Sequence, residues 1–197
     1  MSLLSGWRYK LNKQNFFIDI DNTLIHTIDA YCSVYNEIYI NHPKFKPAEP
    51  DLVNEYNFRD QCPLVENVLS IFENPLFFKF ARLINNDTYE ILEKLNEKYK
   101  LIVCSIGTPK NVAYKAHYLK DNLPFIKDYV LISNPTCHMD KSIVQMEGAI
   151  FLDDIPSNLI SSNAEEKLLF GKIYPWNLGW DSRKHCLDWS EVEERLL

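Results

Sequence analysis

The sequence predicts an α/β fold in which a mostly parallel sheet is covered by helices on both faces. Two observations lead to this prediction. Short apolar runs, typical of buried strands, are separated by segments whose apolar residues recur at helical spacing. Such alternation is typical of parallel strands joined by helices. The length of 197 residues further favours one core domain that carries an inserted or appended subdomain.

Four short apolar runs are the candidate strands of this sheet. Each is almost continuously apolar, as expected for a strand that is buried on both faces. In chain order they are residues 15–20, 101–106, 129–132 and 149–152.

Capping signals predict where three helices begin. Asp87 is followed three residues later by Glu90, as in a capping box, and Ser190 and Glu193 repeat this spacing near the C-terminus. Thr108-Pro109 places a preferred N-cap residue before a proline at the first helical position.

The segment between the first two predicted strands interrupts the alternation. It contains apolar residues at helical spacing, then a loop with three prolines, then a second apolar pattern. An excursion of this length with patterns of its own predicts a helical insertion. We therefore expect a core domain of residues 1–27 and 87–197 and a helical cap subdomain of residues 28–86.

The composition excludes some classes of function. The formal net charge is −6, whereas binding to a nucleic acid polymer by counterion release requires a basic surface. One anionic ligand is compatible with this charge, because a metal ion and a few local donors can bind a single phosphate. No stretch approaches the ~20 apolar residues of a membrane span. We expect no nucleic acid polymer and no membrane among the partners.

The five cysteines are scattered and form no Cys-x-x-Cys pair. This pattern favours neither a disulfide framework nor a zinc site, and it predicts a cytoplasmic protein in a reducing compartment. Residues Met1–Gln14 contain no long apolar run and no small-residue cleavage site, so no signal peptide is predicted.

Two carboxylates directly follow the first predicted strand, in the run Asp19-Ile20-Asp21-Asn22-Thr23. Acids two residues apart at the end of a strand can act together, one as metal ligand or nucleophile and the other as an acid. A carboxylate that attacks phosphorus needs a nearby cation to relieve charge repulsion. Its partner must protonate the departing oxygen.

Three other interpretations of this pair compete. A calcium loop of the EF-hand type requires Gly at its sixth position and Glu at its twelfth, where this chain has Leu24 and Ala30. A glycosyltransferase also places Asp-x-Asp on a metal ion, but it leaves the later motifs unexplained. The third interpretation is a pair of surface acids in a turn.

A second acidic pair, Asp153-Asp154, follows the fourth predicted strand. Neighbouring parallel strands bring their carboxyl ends together, at the edge where open α/β sheets bind ligands. Two acidic pairs at this edge predict a site for Mg²⁺, which binds through a few carboxylates and a phosphate.

Two further polar residues lie near predicted strand ends. Ser105 ends the second strand just before Gly107, so its hydroxyl and the backbone of the turn could hold phosphate oxygens. Lys141, after the third strand, could neutralise charge on a transferred group. The alternative is that Ser105 is an ordinary turn residue and Lys141 a solvated lysine.

The ordered set of these motifs, Asp19-x-Asp21-x-Thr23, Ser105, Lys141 and Asp153-Asp154, resembles the four motifs of the haloacid dehalogenase (HAD) superfamily. The resemblance implies a Rossmann-like core and a phosphatase that works through an aspartyl-phosphate. It implies that Asp19 is the nucleophile and that Asp21 is the acid and base. The implied phosphate-binding residues are Thr23, Ser105, Ile106, Gly107 and Lys141, and the implied Mg²⁺ ligands are Asp19, Asp21, Asp153 and Asp154.

Finer features are similar to the 5′(3′)-deoxyribonucleotidase-like branch of that superfamily. They are the position of the insertion, the Phe77-Phe78 pair and the late segment Tyr174-Pro175-Trp176-Asn177. Two residues depart from the pattern, because Asn22 replaces a common glycine and Thr23 replaces a frequent valine. Asn tolerates the left-handed backbone that glycine adopts there.

The branch implies a nucleoside monophosphate as substrate. Phe77, Phe78 and Trp176 are candidates for stacking on its base, although aromatic residues at helical spacing are also typical of a core. A different small phosphate ester, such as a sugar phosphate, and a non-catalytic Mg²⁺ and phosphate-binding module are the alternatives. The oligomeric state is left open between monomer and homodimer.

Overall fold

A six-stranded sheet of order β3-β2-β1-β4-β5-β6 forms the centre of the molecule. The computed structural model describes residues 13–137 and 139–197, so most of the segment searched for a signal peptide lies outside the described residues. Every strand pair is parallel, which confirms the predicted α/β class. The strands are β1 (Asn15–Ile18), β2 (Lys100–Gly107), β3 (Asp128–Ser133), β4 (Ile150–Asp153), β5 (Glu166–Phe170) and β6 (His185–Cys186).

Seven α-helices lie beside the sheet in the part of the chain that the structure describes. None of the helices in the described residues is long and apolar enough to cross a membrane. In chain order they are α1 (Thr27–Tyr39), α2 (Leu69–Phe72), α3 (Phe77–Phe80), α4 (Thr88–Lys98), α5 (Pro109–Asn122), α6 (Pro156–Ser161) and α7 (Trp189–Leu196).

The two faces of the sheet bury different sets of side chains. Because side chains alternate along a strand, Phe16 and Ile18 of β1 point into the larger hydrophobic cluster and Phe17 points into the smaller one. The larger cluster includes residues of α1, α4, α5 and α7, whereas the smaller one includes Leu159 of α6. The predicted cover of helices on both faces is therefore present.

A helix begins at or near each of the three predicted starts, but the capping contacts differ. Thr108 is the N-cap of α5, as predicted, and its side chain accepts a hydrogen bond from the backbone of Asn111. Asp87 precedes α4, but its side chain makes no capping hydrogen bond. The C-terminal helix begins one residue earlier than Ser190, because Asp188 accepts a hydrogen bond from the backbone of Glu191 and is its N-cap.

The residues between β1 and β2 contain α1, a 3-10 turn (Pro50–Leu52), α2, α3 and α4, and we call residues 28–86, which end before α4, the insert. Two neighbouring segments join it to the sheet. Ile25 forms an antiparallel bridge with Leu83, and the backbone N–H of His26 donates to the carbonyl of Arg82 at 3.0 Å. The insert and the sheet share the larger hydrophobic cluster. Their division into two subdomains stays a prediction.

The strand register brings the predicted acidic pairs together. Ile18 of β1 pairs with Leu152 of β4, and the backbone N–H of Asp19 donates to the carbonyl of Leu152 at 3.0 Å. Asp19 and Asp153 therefore leave neighbouring strands at the same level. This edge of the sheet positions the site described next.

Candidate active site

A buried acidic cluster lies at the carboxyl ends of β1 and β4. Asp19, Asp153 and Asp154 each offer a carboxylate oxygen within 4.8 Å of the others. All three are buried, so their negative charges are held close together with little solvent. Burial raises the pKa of Asp153 to about 6, and Lys141 opposes this shift. Burial, with the charges of Asp153 and Asp19, raises the pKa of Asp154 well above its ordinary value.

Lys141 supplies the cationic partner of this cluster. Its Nζ lies 2.5 Å from Oδ1 of Asp19 and 2.5 Å from Oδ2 of Asp153, and the side chain is 1% exposed. Burial disfavours the ammonium form, but the two carboxylates outweigh it, and the pKa of Lys141 is raised. The structure thus places Lys141 against Asp19, and both residues line the cavity described below.

Asp153 and Asp154 differ in how their oxygens are used. Both oxygens of Asp153 accept hydrogen bonds from Asn158 Nδ2 at 3.1 Å, and Oδ1 also accepts the backbone N–H of Ile155 at 2.8 Å. Oδ2 of Asp154 accepts only Asn22 Nδ2, at 3.3 Å, and its Oδ1 is buried without a partner among the described residues. Asp154 therefore has an oxygen free to bind a cation.

The cluster fits a magnesium ion. A buried carboxylate oxygen without a donor is costly in a folded protein, and a hard cation with oxygen ligands would satisfy it. Asp19 and Asp154 line the cavity, whereas Asp153 does not and its oxygens accept hydrogen bonds from protein donors.

Asp21 lies on the turn that follows β1. Asn22 adopts a left-handed backbone there, with φ of 51°, as its small polar side chain permits. Oδ1 of Asp21 accepts the hydroxyl of Thr27 at 3.0 Å, and Oδ2 accepts Lys115 Nζ at 2.5 Å. Asp21 is outside the acidic cluster in which the carboxylate oxygens meet, its side chain is 27% exposed, and it lines the same cavity as Asp19.

Lys115 is a site residue that the sequence interpretation missed. It lies on α5, and its side chain is 1% exposed. A sequence signal does exist, because Asn111, Lys115, Tyr118 and Leu119 are the buried residues of this helix and recur at helical spacing. A lysine on the buried stripe of a helix is unusual unless it is paired.

Ser105 and the two residues after it lie where they were predicted, at the end of β2. Ser105 is 1% exposed, and Ser105, Ile106 and Gly107 line the same cavity as Asp19. A side chain at Gly107 would collide with Asn111, since an added Cβ would be 2.3 Å from its Oδ1. The side chain of Asn111 would therefore have to move to accommodate a larger residue at position 107.

The cavity above these residues has a volume of about 1120 Å³. Its floor is the end of the sheet, with Asp19, Asp21, Ser105, Lys141 and Asp154. The insert forms the opposite wall, which is mostly apolar and aromatic and includes Tyr56, Phe58, Val68, Leu69 and Phe72.

Trp176 also lines the cavity, as predicted for a substrate contact. Its ring stacks on Tyr174 with centroids 4.3 Å apart and an interplanar angle of 6°, and it meets the ring of Tyr56 at 6.0 Å and 73°. The indole Nε1 is buried and has no hydrogen-bond partner in the described part of the chain.

Three predicted contact residues lie outside this cavity. Phe77 is fully buried and packs against Phe72 and Phe78, so both members of the Phe77-Phe78 pair belong to the hydrophobic packing below the cavity wall. Thr23 is also fully buried, and its backbone carbonyl accepts the indole N–H of Trp189 at 2.9 Å. The turn after Asp21 buries the Thr23 side chain, which does not line the cavity, and its contact with a phosphate stays a prediction.

Solved structures with the same fold include several phosphatases and hydrolases. A predicted phosphatase from Clostridium acetobutylicum superposes with a TM-score of 0.68 and 11% identity, covering 93% of this chain and 98% of that chain. A HAD-superfamily hydrolase from Geobacter sulfurreducens PCA superposes with a TM-score of 0.61 and 13% identity, covering 94% of this chain and 97% of that chain. A HAD-hydrolase from Bacillus subtilis bound to magnesium superposes with a TM-score of 0.57 and 12% identity, covering 94% of this chain and 99% of that chain. At these identities the likeness shows the fold.

The family comparison is more specific. A comparison with curated protein sequences finds no match. The family model of the "5' nucleotidase, deoxy (Pyrimidine), cytosolic type C protein" matches residues 13–197, which is nearly the whole chain and includes every motif described above. The chain therefore belongs to this 5′-nucleotidase family and is a phosphatase of the HAD type.

Proposed function

We propose that the chain is a Mg²⁺-dependent phosphomonoesterase that hydrolyses nucleoside monophosphates through an aspartyl-phosphate on Asp19. One observation carries the proposal: Asp19, Asp154 and Lys141 converge at the floor of a large cavity in a member of a nucleotidase family.

Asp19 is the nucleophile in this proposal. Its carboxylate oxygen forms a bond to phosphorus as the bond from phosphorus to the ester oxygen breaks, and water then hydrolyses the acyl phosphate. The other oxygens of the phosphoryl group lie against Lys141, Ser105 and the backbone of Ile106 and Gly107, which all line the cavity. Such preorganised donors stabilise the charge that develops on these oxygens.

Asp21 is the acid and base. It donates a proton to the departing oxygen and later accepts one from the attacking water. Its place in the lining of the cavity, outside the acidic cluster, suits this role, because a general acid must reach the departing oxygen and not the attacking carboxylate.

Asp19, Asp154 and the backbone carbonyl of Asp21 would hold Mg²⁺, with Asp153 orienting them from behind. The bound ion supplies charge neutralisation between the nucleophile and the phosphate.

The aromatic wall of the cavity supports a nucleotide substrate. Phe58, Phe72, Tyr56 and Trp176 line it, and stacking on an aromatic side chain stabilises a bound base by ~1–3 kcal/mol. The family description names nucleotidases, and the insert that contributes most of this wall would act as the cap that selects the substrate. A cytoplasmic location is part of the proposal, since the five cysteines are free thiols and the family description names cytosolic proteins.

The test is phosphate release from a panel of ribo- and deoxyribonucleoside monophosphates and sugar phosphates. Each is assayed with Mg²⁺ and with a chelator, and Asp19→Asn is the blank. Turnover that requires Mg²⁺ and is concentrated on nucleotides supports the proposal. Equal turnover of sugar phosphates removes the nucleotide assignment, and turnover by Asp19→Asn removes the covalent mechanism.

A further inference from the structure

We infer that Lys115 is a positioning residue that organises Asp21, Ser105 and the turn at Ile106 for phosphoryl transfer. This inference rests on the proposed function, because it assigns Lys115 a task in that reaction.

The contacts of Lys115 are confined to the candidate site. Its Nζ lies 2.5 Å from Oδ2 of Asp21, 2.9 Å from Oγ of Ser105 and 2.7 Å from the carbonyl oxygen of Ile106. An ammonium group has three N–H donors and no acceptor, so all three donors are used on these groups. Burying a cation is costly. The hydrogen bonds to these three groups, one of them a carboxylate, offset that cost.

The contact with Ser105 fixes the direction of its hydroxyl. Because the ammonium can only donate, Ser105 Oγ is the acceptor in this pair. Its hydroxyl hydrogen is therefore directed elsewhere, and it has no acceptor among residues 13–137 and 139–197. Ser105 lines the cavity, where an oxygen of a phosphate is the fitting acceptor.

The contact with Asp21 fixes the carboxyl group that serves as acid and base. Lys115 holds one oxygen and the hydroxyl of Thr27 holds the other, so rotation of the carboxyl plane is restricted. A general acid must lie within hydrogen-bond reach of the departing oxygen, and these two contacts keep Asp21 at the cavity wall.

The structure thus gives each catalytic carboxylate its own buried lysine. Lys141 contacts Asp19 and Asp153, whereas Lys115 contacts Asp21. This separation predicts two different phenotypes. Loss of Lys141 affects every substrate, because every phosphoryl group meets Asp19. Loss of Lys115 affects most those esters whose leaving oxygen needs a proton.

The test compares Lys115→Met on two kinds of ester, a nucleoside monophosphate and p-nitrophenyl phosphate. The first leaves as a basic alkoxide, whereas p-nitrophenolate leaves as a stable anion without protonation. We expect kcat/KM for the nucleotide to fall ~100-fold or more, the usual size of general acid catalysis, and kcat/KM for p-nitrophenyl phosphate to fall at least ~10-fold less. Asp21→Asn should show the same pattern, and adding Lys115→Met to it should lower kcat/KM for the nucleotide much less than Lys115→Met does in the wild type.

A second measurement does not depend on turnover. Binding of inorganic phosphate in the presence of Mg²⁺ is measured by calorimetry for the wild type and for Lys115→Met. We expect the variant to bind ~10-fold more weakly, because Ser105 loses the partner that directs its hydroxyl. Lys120→Met is the matched control, since Lys120 is an exposed lysine of the same helix.

The outcomes separate the two proposals. Equal losses on both esters, or no loss on either, overturn the positioning role, as does unchanged phosphate binding. A wild type that turns over neither ester but binds phosphate in a Lys115-dependent manner refutes the proposed function and keeps the link between Lys115 and Ser105. If Lys115→Met does not fold, Lys115→Gln keeps hydrogen-bond donors without the charge, and the same comparison decides.

Discussion

The Nζ of Lys141 lies 2.5 Å from Oδ1 of Asp19 and reaches it from a loop 122 residues further along the chain. Because the same ammonium also contacts Asp153, one cation offsets two buried negative charges. Neither carboxylate has another cationic partner among the described residues.

Replacement of Lys141 by Met should therefore damage both stability and activity. Removing one partner of a buried ion pair typically costs ~3–5 kcal/mol, because it leaves an uncompensated charge. Loss of a donor to the transferred group should lower kcat by about 10²- to 10³-fold. Thermal unfolding with a chelator and phosphate release with Mg²⁺ measure the two effects, and an unchanged melting temperature would contradict the assignment.

Replacement of Asp19 and replacement of Asp21 should have different effects on activity. Asp19→Asn should show no turnover, since the amide is not a nucleophile. Asp21→Asn should keep a slow reaction, reduced by about 10²- to 10⁴-fold, because only acid and base catalysis is lost. Phosphate release gives the rates, and mass spectrometry of quenched Asp21→Asn tests for a phosphorylated protein. A phosphorylated Asp19→Asn would disprove the role of Asp19.

Magnesium should stabilise the protein more at neutral pH than in mild acid. Burial raises the pKa of Asp153 to about 6, above the ~3.9 of an unfolded chain. In the metal-free protein, its contribution to stability is fully present below about pH 4 and is lost as the pH rises through about 6. Asp154 shifts in the same direction. Melting curves at about pH 5 and about pH 7.5 should show that the rise in Tm on adding Mg²⁺ grows with pH, and a constant rise would contradict this.

Trp176→Phe should selectively weaken the binding of nucleotides. The substitution removes the indole N–H, which is buried at the cavity without a partner in the described residues, and keeps a ring beside Tyr174. We expect KM for nucleoside monophosphates to rise by about tenfold, while ribose 5-phosphate is unaffected. The control is Trp180→Phe, because the indole of Trp180 donates to the carbonyl of Lys184. Equal effects on both substrates would argue against contact with the base.

Phe77→Ala should lower stability without selecting among substrates. Phe77 is fully buried, and removing a buried phenylalanine typically costs ~3–5 kcal/mol in the free energy of unfolding. KM should stay close to the wild-type value at a temperature at which the variant is folded. A selective rise in KM for nucleotides would return Phe77 to the binding site.

Much of the fold and part of the site could be predicted because their signals are local. Two strands show both their burial and their acidic ends in consecutive residues. Asn15–Ile18 is followed by Asp19, and Ile150–Asp153 is followed by Asp154. Parallel pairing then brings the two ends together. The N-cap at Thr108 was predictable for the same reason.

The features that were missed depend on contacts between distant residues. Lys115 and Asp21 are 94 positions apart, and only the packing of α5 against β2 brings them together. The Phe77-Phe78 pair matched a family pattern, but the local sequence does not show that its rings pack against Phe72 and Tyr118. Strands β5 and β6 contain polar and charged residues among the apolar ones, so their apolar runs are short.

The bridge between Ile25 and Leu83 has a consequence for the ancestry and engineering of the molecule. Partners in an antiparallel bridge have Cα atoms only ~5 Å apart, so the chain leaves the sheet and returns to it at almost one point. A tight turn could close that gap, and a segment of a different length could begin and end at the same two points. Such a segment must supply apolar side chains that pack against the sheet, because Tyr31 and Tyr35 of α1 are fully buried in the cluster that the insert shares with the sheet. Under the proposed function, exchange of the insert would change the aromatic wall of the cavity while Asp19 and Asp154 stay at the end of the sheet.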